Sequence, residues 1–198
     1  QGAGSGKTYG IIQMLEKEEF KHYKHFIFVT KQHSARHQIK VEFKKQISKK
    51  QIRYLKIEEI KDTPDRKKCI IKYKNEKSNI DCQMIIATID SLLYSIGNTN
   101  HNEFDLFEGI VHSIIDNHIE VNIKGTIRFA GINPKLNKET LLVIDETQDL
   151  SENYAKAIIQ IMRNRYIDTY VVGDKLQSIK YENNAFTYLL DNDFPYIH

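Results

Sequence analysis

No apolar run in these 198 residues reaches the roughly 18 needed to cross a bilayer as a helix, and the N-terminus lacks the charged-then-apolar layout of a secretory signal. A helical membrane span within these residues is thereby not expected. The expectation is a soluble, intracellular protein with no membrane partner, and nucleus, cytoplasm and viral replication site are not distinguished. Cysteine is scarce: Cys69 and Cys82 are the only two and neither has a partner at zinc-ligand spacing, so both are expected as free thiols without a chemical role. Internal repeats and low-complexity linkers are also missing, which leaves a single folded unit with at most a small insert. With 40% hydrophobic residues the chain can bury one good core.

Charge is unevenly spread. The net charge is +3, yet residues 40–77 carry fourteen Lys or Arg against six Asp or Glu. Such a block can lie along a phosphate backbone. It can equally be the solvated face of a helix and a hairpin, and the sequence alone leaves both open.

Four short apolar runs are present and each ends in polar residues: FIFVT (26–30), MIIATI (84–89), LLVIDE (141–146) and TYVVGD (169–174). Runs of this length and purity are expected of parallel strands buried on both faces. Between them Ala35, Ile39, Phe43 and Ile47 recur every four residues, and Tyr154, Ile158, Ile161 and Met162 make a second helical stripe after Ser151, a candidate cap. The pattern predicts an α/β fold, a mainly parallel sheet flanked by helices, whose ligands bind at the carboxyl ends of the strands. Two stretches break the alternation and are expected as excursions from the sheet. Residues 52–82 look β-rich with KNEKSN as a turn, and residues 97–138 hold a helical segment near 104–118 among Gly, Asn and Pro signals.

The chemistry begins at QGAGSGKT (1–8), which opens a helical stretch containing Ile11, Ile12 and Leu15. A glycine-rich loop lets backbone N–H groups close around phosphate oxygens, and the helix N-terminus adds the positive end of its dipole. Gly2, Gly4, Ser5 and Gly6 would form that cradle, Lys7 would reach the β- and γ-phosphates of ATP, and the Thr8 hydroxyl would ligate Mg²⁺. The usual first glycine falls at Gln1. Because the chain begins directly on the loop, the strand that feeds it is expected to precede Gln1 in a longer polypeptide.

LLVIDETQDL (141–150) delivers two carboxylates at a strand end. Asp145 is placed to hold Mg²⁺, mostly through water, and Glu146 to orient or deprotonate the attacking water. An acidic pair that merely ends a strand is common in isolation. After a phosphate loop, and with Gln148 two residues on, that plainer reading loses ground. VVGDKLQSI (171–179) adds a third strand ending in glycine, acid and amide, and Gln177 could bond the γ-phosphate or the attacking water.

Taken together, GAGSGKT, IDETQDL and GDKLQSI in this order resemble motifs I, II and III of superfamily 1A helicases, the UvrD/Rep/PcrA group. VTKQHSAR (29–36) is similar to motif Ia and ATIDSLL (87–93) to the TxxSL element that follows it. The resemblance implies a RecA-like P-loop domain over 1–96 and 139–198, with 97–138 a short insert where subdomain 1B stands. It implies ATP and Mg²⁺ as cofactors and ATP-dependent translocation on single-stranded DNA in repair or replication. Thr30, Thr88 and Ser91 would then contact the nucleic-acid backbone, Gln148 and Gln177 would link nucleotide to strand, and a second RecA-like domain of the same polypeptide would complete the motor. The plainer reading of Thr30 is a strand-end hydroxyl, and of Thr88 and Ser91 a helix cap.

The chain departs from the family after QSI. It runs KYENNA (180–185), which lacks the usual arginine and moves the aromatic to Tyr181, a residue that could still stack on a base. Two other readings stay open: an RNA helicase of viral superfamily 1 type, and a helicase-derived module that holds ATP and nucleic acid without unwinding. Without a second domain's arginine fingers, worth about 10³–10⁵ in rate in related hydrolases, the chain alone is expected to hydrolyse ATP poorly.

Overall fold

In the computed structural model, residues 5–50, 52–64, 66–96, 106–116, 139–165, 167–172 and 188–189 are described. The apolar runs become strands β1 (His25–Thr30), β4 (Ile80–Thr88), β5 (Thr140–Ile144) and β6 (Asp168–Val171). β1 pairs in parallel with both β4 and β5, and β5 with β6. Their apolar purity has a direct cause. Along β1, Phe26 and Phe28 enter one core while Ile27 and Val29 enter the other, so no position is left for a polar side chain until Thr30.

One core is closed by helices α1 (Ser5–Met14) and α2 (His33–Ser48), which contribute Ile12, Ile39 and Phe43. The other is closed by α3 (Ile89–Ile96), α4 (Leu106–Ile115) and α5 (Glu152–Arg165), through Leu92, Leu93, Ile110, Ile114, Ile158 and Ile161. The helix expected near 104–118 is α4, and it packs against α3 and α5 in this second core. α1 and α2 are further clasped by an amide pair. Gln13 Nε2 donates to Gln46 Oε1 at 2.7 Å, and the fully buried Gln46 donates in turn to Glu42 Oε1 at 3.2 Å and to the Tyr9 carbonyl at 3.4 Å.

Residues 52–82 differ from expectation: they are part of the sheet. β2 (Leu55–Asp62) and β3 (Cys69–Asn75) pair antiparallel with each other, and β3 pairs antiparallel with β4, giving the order β2-β3-β4-β1-β5-β6. The polar character of this segment follows from its place. β3 buries Cys69, Ile71 and Tyr73 on one face and exposes Lys72 on the other, while β2 is an edge strand guarded by Lys56, Glu58, Glu59 and Lys61. The KNEKSN turn forms as expected: Asn75 Oδ1 accepts the N–H groups of Lys77 and Ser78 at 3.1 and 3.3 Å, and Asn79 takes φ 56°.

Cys69 and Cys82 are free and buried, and burial pushes both thiols up to about 11. They are core residues. No helix among the described residues is long and apolar enough to cross a membrane.

Candidate active site

The parallel register aligns the strand exits. Thr30 pairs with Thr88 and Val29 with Ile144, and the Asp145 N–H donates to the Val29 carbonyl at 3.0 Å, so the ends of β4, β1 and β5 stand side by side on one edge. This is the carboxyl edge, where an α/β sheet binds its ligands.

On that edge the acidic pair is shaped by a backbone kink. Asp145 is buried, and its Oδ1 accepts the Glu146 N–H at 2.8 Å. Glu146 adopts φ 54°, ψ 41°, the left-handed region, which carries a strain of about 1–3 kcal/mol for a residue with a Cβ. The kink turns the chain between the two carboxylates, leaving Asp145 in the interior and Glu146 half-exposed.

What holds the kink is Thr147, a residue that motif reading passed over. It is fully buried; its N–H and its Oγ1 both donate to the Val172 carbonyl, at 3.1 and 2.8 Å. The Val172 N–H returns to the Ile144 carbonyl at 2.8 Å. The exits of β5 and β6 are thus tied together just behind the acidic pair, and a 3-10 turn over Thr147–Asp149 follows. Burial first, and then the Glu146 charge, hold the Asp149 carboxyl above its ordinary value. A Thr147→Val variant keeps the shape and removes one donor. It should lose about 1 kcal/mol in denaturant unfolding and, because the kink that places Glu146 keeps only its backbone bonds, up to about 10²-fold in hydrolysis, a drop the fold loss alone does not produce.

Beside the kink, three elements meet in a polar knot. Lys31, next after Thr30, donates from Nζ to Tyr154 Oη at 2.9 Å, and Tyr154 donates to Asp90 Oδ1 at 2.8 Å. The Lys31 Nζ also lies 3.7 Å from the Asp90 carboxylate. Burial, with Asp90 beside it, holds the Tyr154 hydroxyl well above its ordinary value, so it stays a neutral donor. The knot joins the exit of β1, the first turn of α3 and the first turn of α5. The sequence offered Tyr154 only as part of an apolar stripe, although a buried tyrosine hydroxyl needs a partner.

The other expected site residues fall as follows. Thr30 is fully buried and its Oγ1 donates to the Gln32 carbonyl at 2.9 Å. Thr88 Oγ1 accepts the Ser91 N–H at 3.3 Å and lies 3.0 Å from Ser91 Oγ, capping α3 in the manner of a helix N-cap. Thr30 and Thr88 therefore build the rim loops from within, and Ser91 sits half-buried on the rim. Ser5, Gly6, Lys7 and Thr8 form the first turn of α1, as a phosphate loop opening into a helix requires, and their side chains lie outside the described residues. The backbone of Gln148 is in the 3-10 turn and its side chain is likewise outside. Gly2, Gly4, Gln177 and Tyr181 lie wholly outside the described residues.

A sheet of this order, a glycine-rich sequence leading into α1, and a buried aspartate just past the end of β5 fit a P-loop domain of RecA-like fold. The chain belongs to the AAA domain family AAA_19, which it matches over residues 1–183, a family found in UvrD/Rep-like helicases. It is a P-loop ATPase domain. No curated protein matches the chain. Domains of this kind generally bind ATP with Mg²⁺. The residues on this edge fit that pair of ligands. Asp145 is a hard oxygen donor fixed by the Glu146 amide, and Mg²⁺ typically takes one or two protein oxygens and fills the rest of its shell with water and phosphate.

Proposed function

We propose that this domain is the nucleotide-binding core of an ATP-driven translocase or helicase on single-stranded DNA, working with a second RecA-like domain of the same polypeptide. In this reading residues 97–138 stand where subdomain 1B would be. The observation that carries it is the adjacency of three strand ends: the acidic pair on β5, the Thr30 loop on β1 and the Thr88–Ser91 cap on β4. Nucleotide chemistry and strand contacts would then share one rigid edge.

The chemistry divides among named groups. Lys7 would contact the β- and γ-phosphates, Thr8 and Asp145 would hold Mg²⁺, and Glu146 would orient or deprotonate the attacking water. Bound Mg²⁺ would neutralise charge on the phosphates. Gln148 and Gln177 would report the state of the γ-phosphate to the strand held by the loops of Thr30, Thr88 and Ser91, with Tyr181 available to stack on a base. The Lys31, Tyr154 and Asp90 knot gives this report a physical route, because α5 begins just after the acidic pair and ends the knot on both rim loops.

ATP hydrolysis by the full-length polypeptide, compared without polymer, with single-stranded DNA and with single-stranded RNA, tests the reading. Stimulation by DNA is the expected result, stimulation by RNA alone reassigns the domain to an RNA helicase, and stimulation by neither overturns the motor in favour of a non-unwinding scaffold.

A further inference from the structure

The basic block of residues 40–77 is divided by the fold. Lys72 and Lys77, on the body of the sheet and its far turn, are drawn into ion pairs with Glu59 at 3.3 Å and Glu18 at 3.6 Å. The β2–β3 hairpin tip is at the opposite end, the carboxyl edge. Cys69 pairs with Ile86, two residues before Thr88, so the tip lies at the end of the sheet that carries Thr88. The tip is therefore the direct extension of the rim that carries Thr88, Ser91 and Thr30.

Its sequence and geometry suit a polyanion. Lys61–Lys68 contains four basic and two acidic residues, and one of the acids, Asp62, is bonded to Lys40 Nζ at 2.9 Å. Arg66 and Lys67 are exposed. The tip is also preorganised. Thr63 N–H donates to the Lys68 carbonyl at 2.9 Å, Lys68 N–H to Thr63 Oγ1 at 3.1 Å, and Arg66 N–H to the Thr63 carbonyl at 2.8 Å, with Arg66 at φ 56°. From below, Arg36 Nη2 donates to the Arg66 carbonyl, while the buried Nε and Nη1 of Arg36 have no hydrogen-bond partner among the described residues. A guanidinium left in that state adds its charge to the tip above it.

We propose that this hairpin tip is a phosphate-binding surface for the single strand, in which Arg66 and Lys67 each take a backbone phosphate and extend the strand's path beyond Thr88, away from the acidic pair. The proposal rests on the single-strand reading above. β5 lies three strand spacings from β3, about 14 Å. The tip thus acts on strand binding and leaves the hydrolytic groups untouched.

The test is the salt dependence of binding to a fluorescent oligothymidylate, measured on the full chain for the parent, an Arg66→Ala/Lys67→Ala variant and a charge-keeping Arg66→Lys/Lys67→Arg variant. Each phosphate contact on a single strand contributes about 0.7 to the slope of log K against log salt, so the alanine variant should lose about 1.4. The charge-keeping variant should retain the parent's slope, and polymer-independent hydrolysis should be the same in all three. A parent that binds, with an alanine variant of unchanged slope, overturns the proposal alone. A slope lost equally in the charge-keeping variant overturns it too, because a structural role would then account for the loss. A parent that binds no single strand overturns the functional reading and the proposal with it.

Discussion

Glu146→Gln should bind ATP as the parent does and turn it over about 10²–10⁴-fold more slowly, the range that a positioned general base contributes. The variant keeps the size of the side chain and its place in the left-handed kink, and removes only the carboxylate. Asp145, whose Oδ1 is engaged by the neighbouring amide, is left in place, and in the proposed reading it would still hold Mg²⁺. Nucleotide affinity measured with a fluorescent ATP analogue, beside steady-state hydrolysis, separates the two effects. Loss of binding together with turnover would mean that Glu146 supports the site and does not act on water.

Phe43→Ala should cost about 3–5 kcal/mol of stability, the range for truncating a buried phenylalanine. Phe43 is fully buried on α2, with its ring 5.8 Å from that of Tyr73 on β3, and it joins the helix to the antiparallel half of the sheet. Against a typical total of about 5–15 kcal/mol, such a loss leaves a marginal fold. Denaturant unfolding of the chain reads it as a lowered midpoint. A change below about 1 kcal/mol would mean that α2 is not held by this core.

The parts of the fold that were legible were those where one physical demand dominates. β1, β4 and β5 are buried on both faces, so their residues are almost uniformly apolar and the runs declare themselves. β2 and β3 answer two demands at once, a buried face and a solvated one, and at the edge a guard against pairing with another chain. Lys56, Glu58, Lys61 and Lys72 therefore disguised them as material outside the sheet.

The place of the acidic pair was legible because a wholly buried apolar strand ends where its first charged residues begin. The kink was not, since left-handed backbone is signalled by glycine and here falls on Glu146. Thr147 lies inside IDETQDL, but no chemistry of the motif points to it, and its role depends on a carbonyl 25 residues away. The knot of Lys31, Asp90 and Tyr154 joins residues separated by 64 and 123 positions, which no local pattern can bring together.

The measurement closest to the central claim follows arrival at the labelled end of single DNA strands of increasing length after ATP is added to the full-length polypeptide. A motor predicts a lag that grows in proportion to strand length and disappears in Glu146→Gln. A time course independent of length, with ATP bound and hydrolysed, would contradict translocation and leave a nucleotide-dependent clamp.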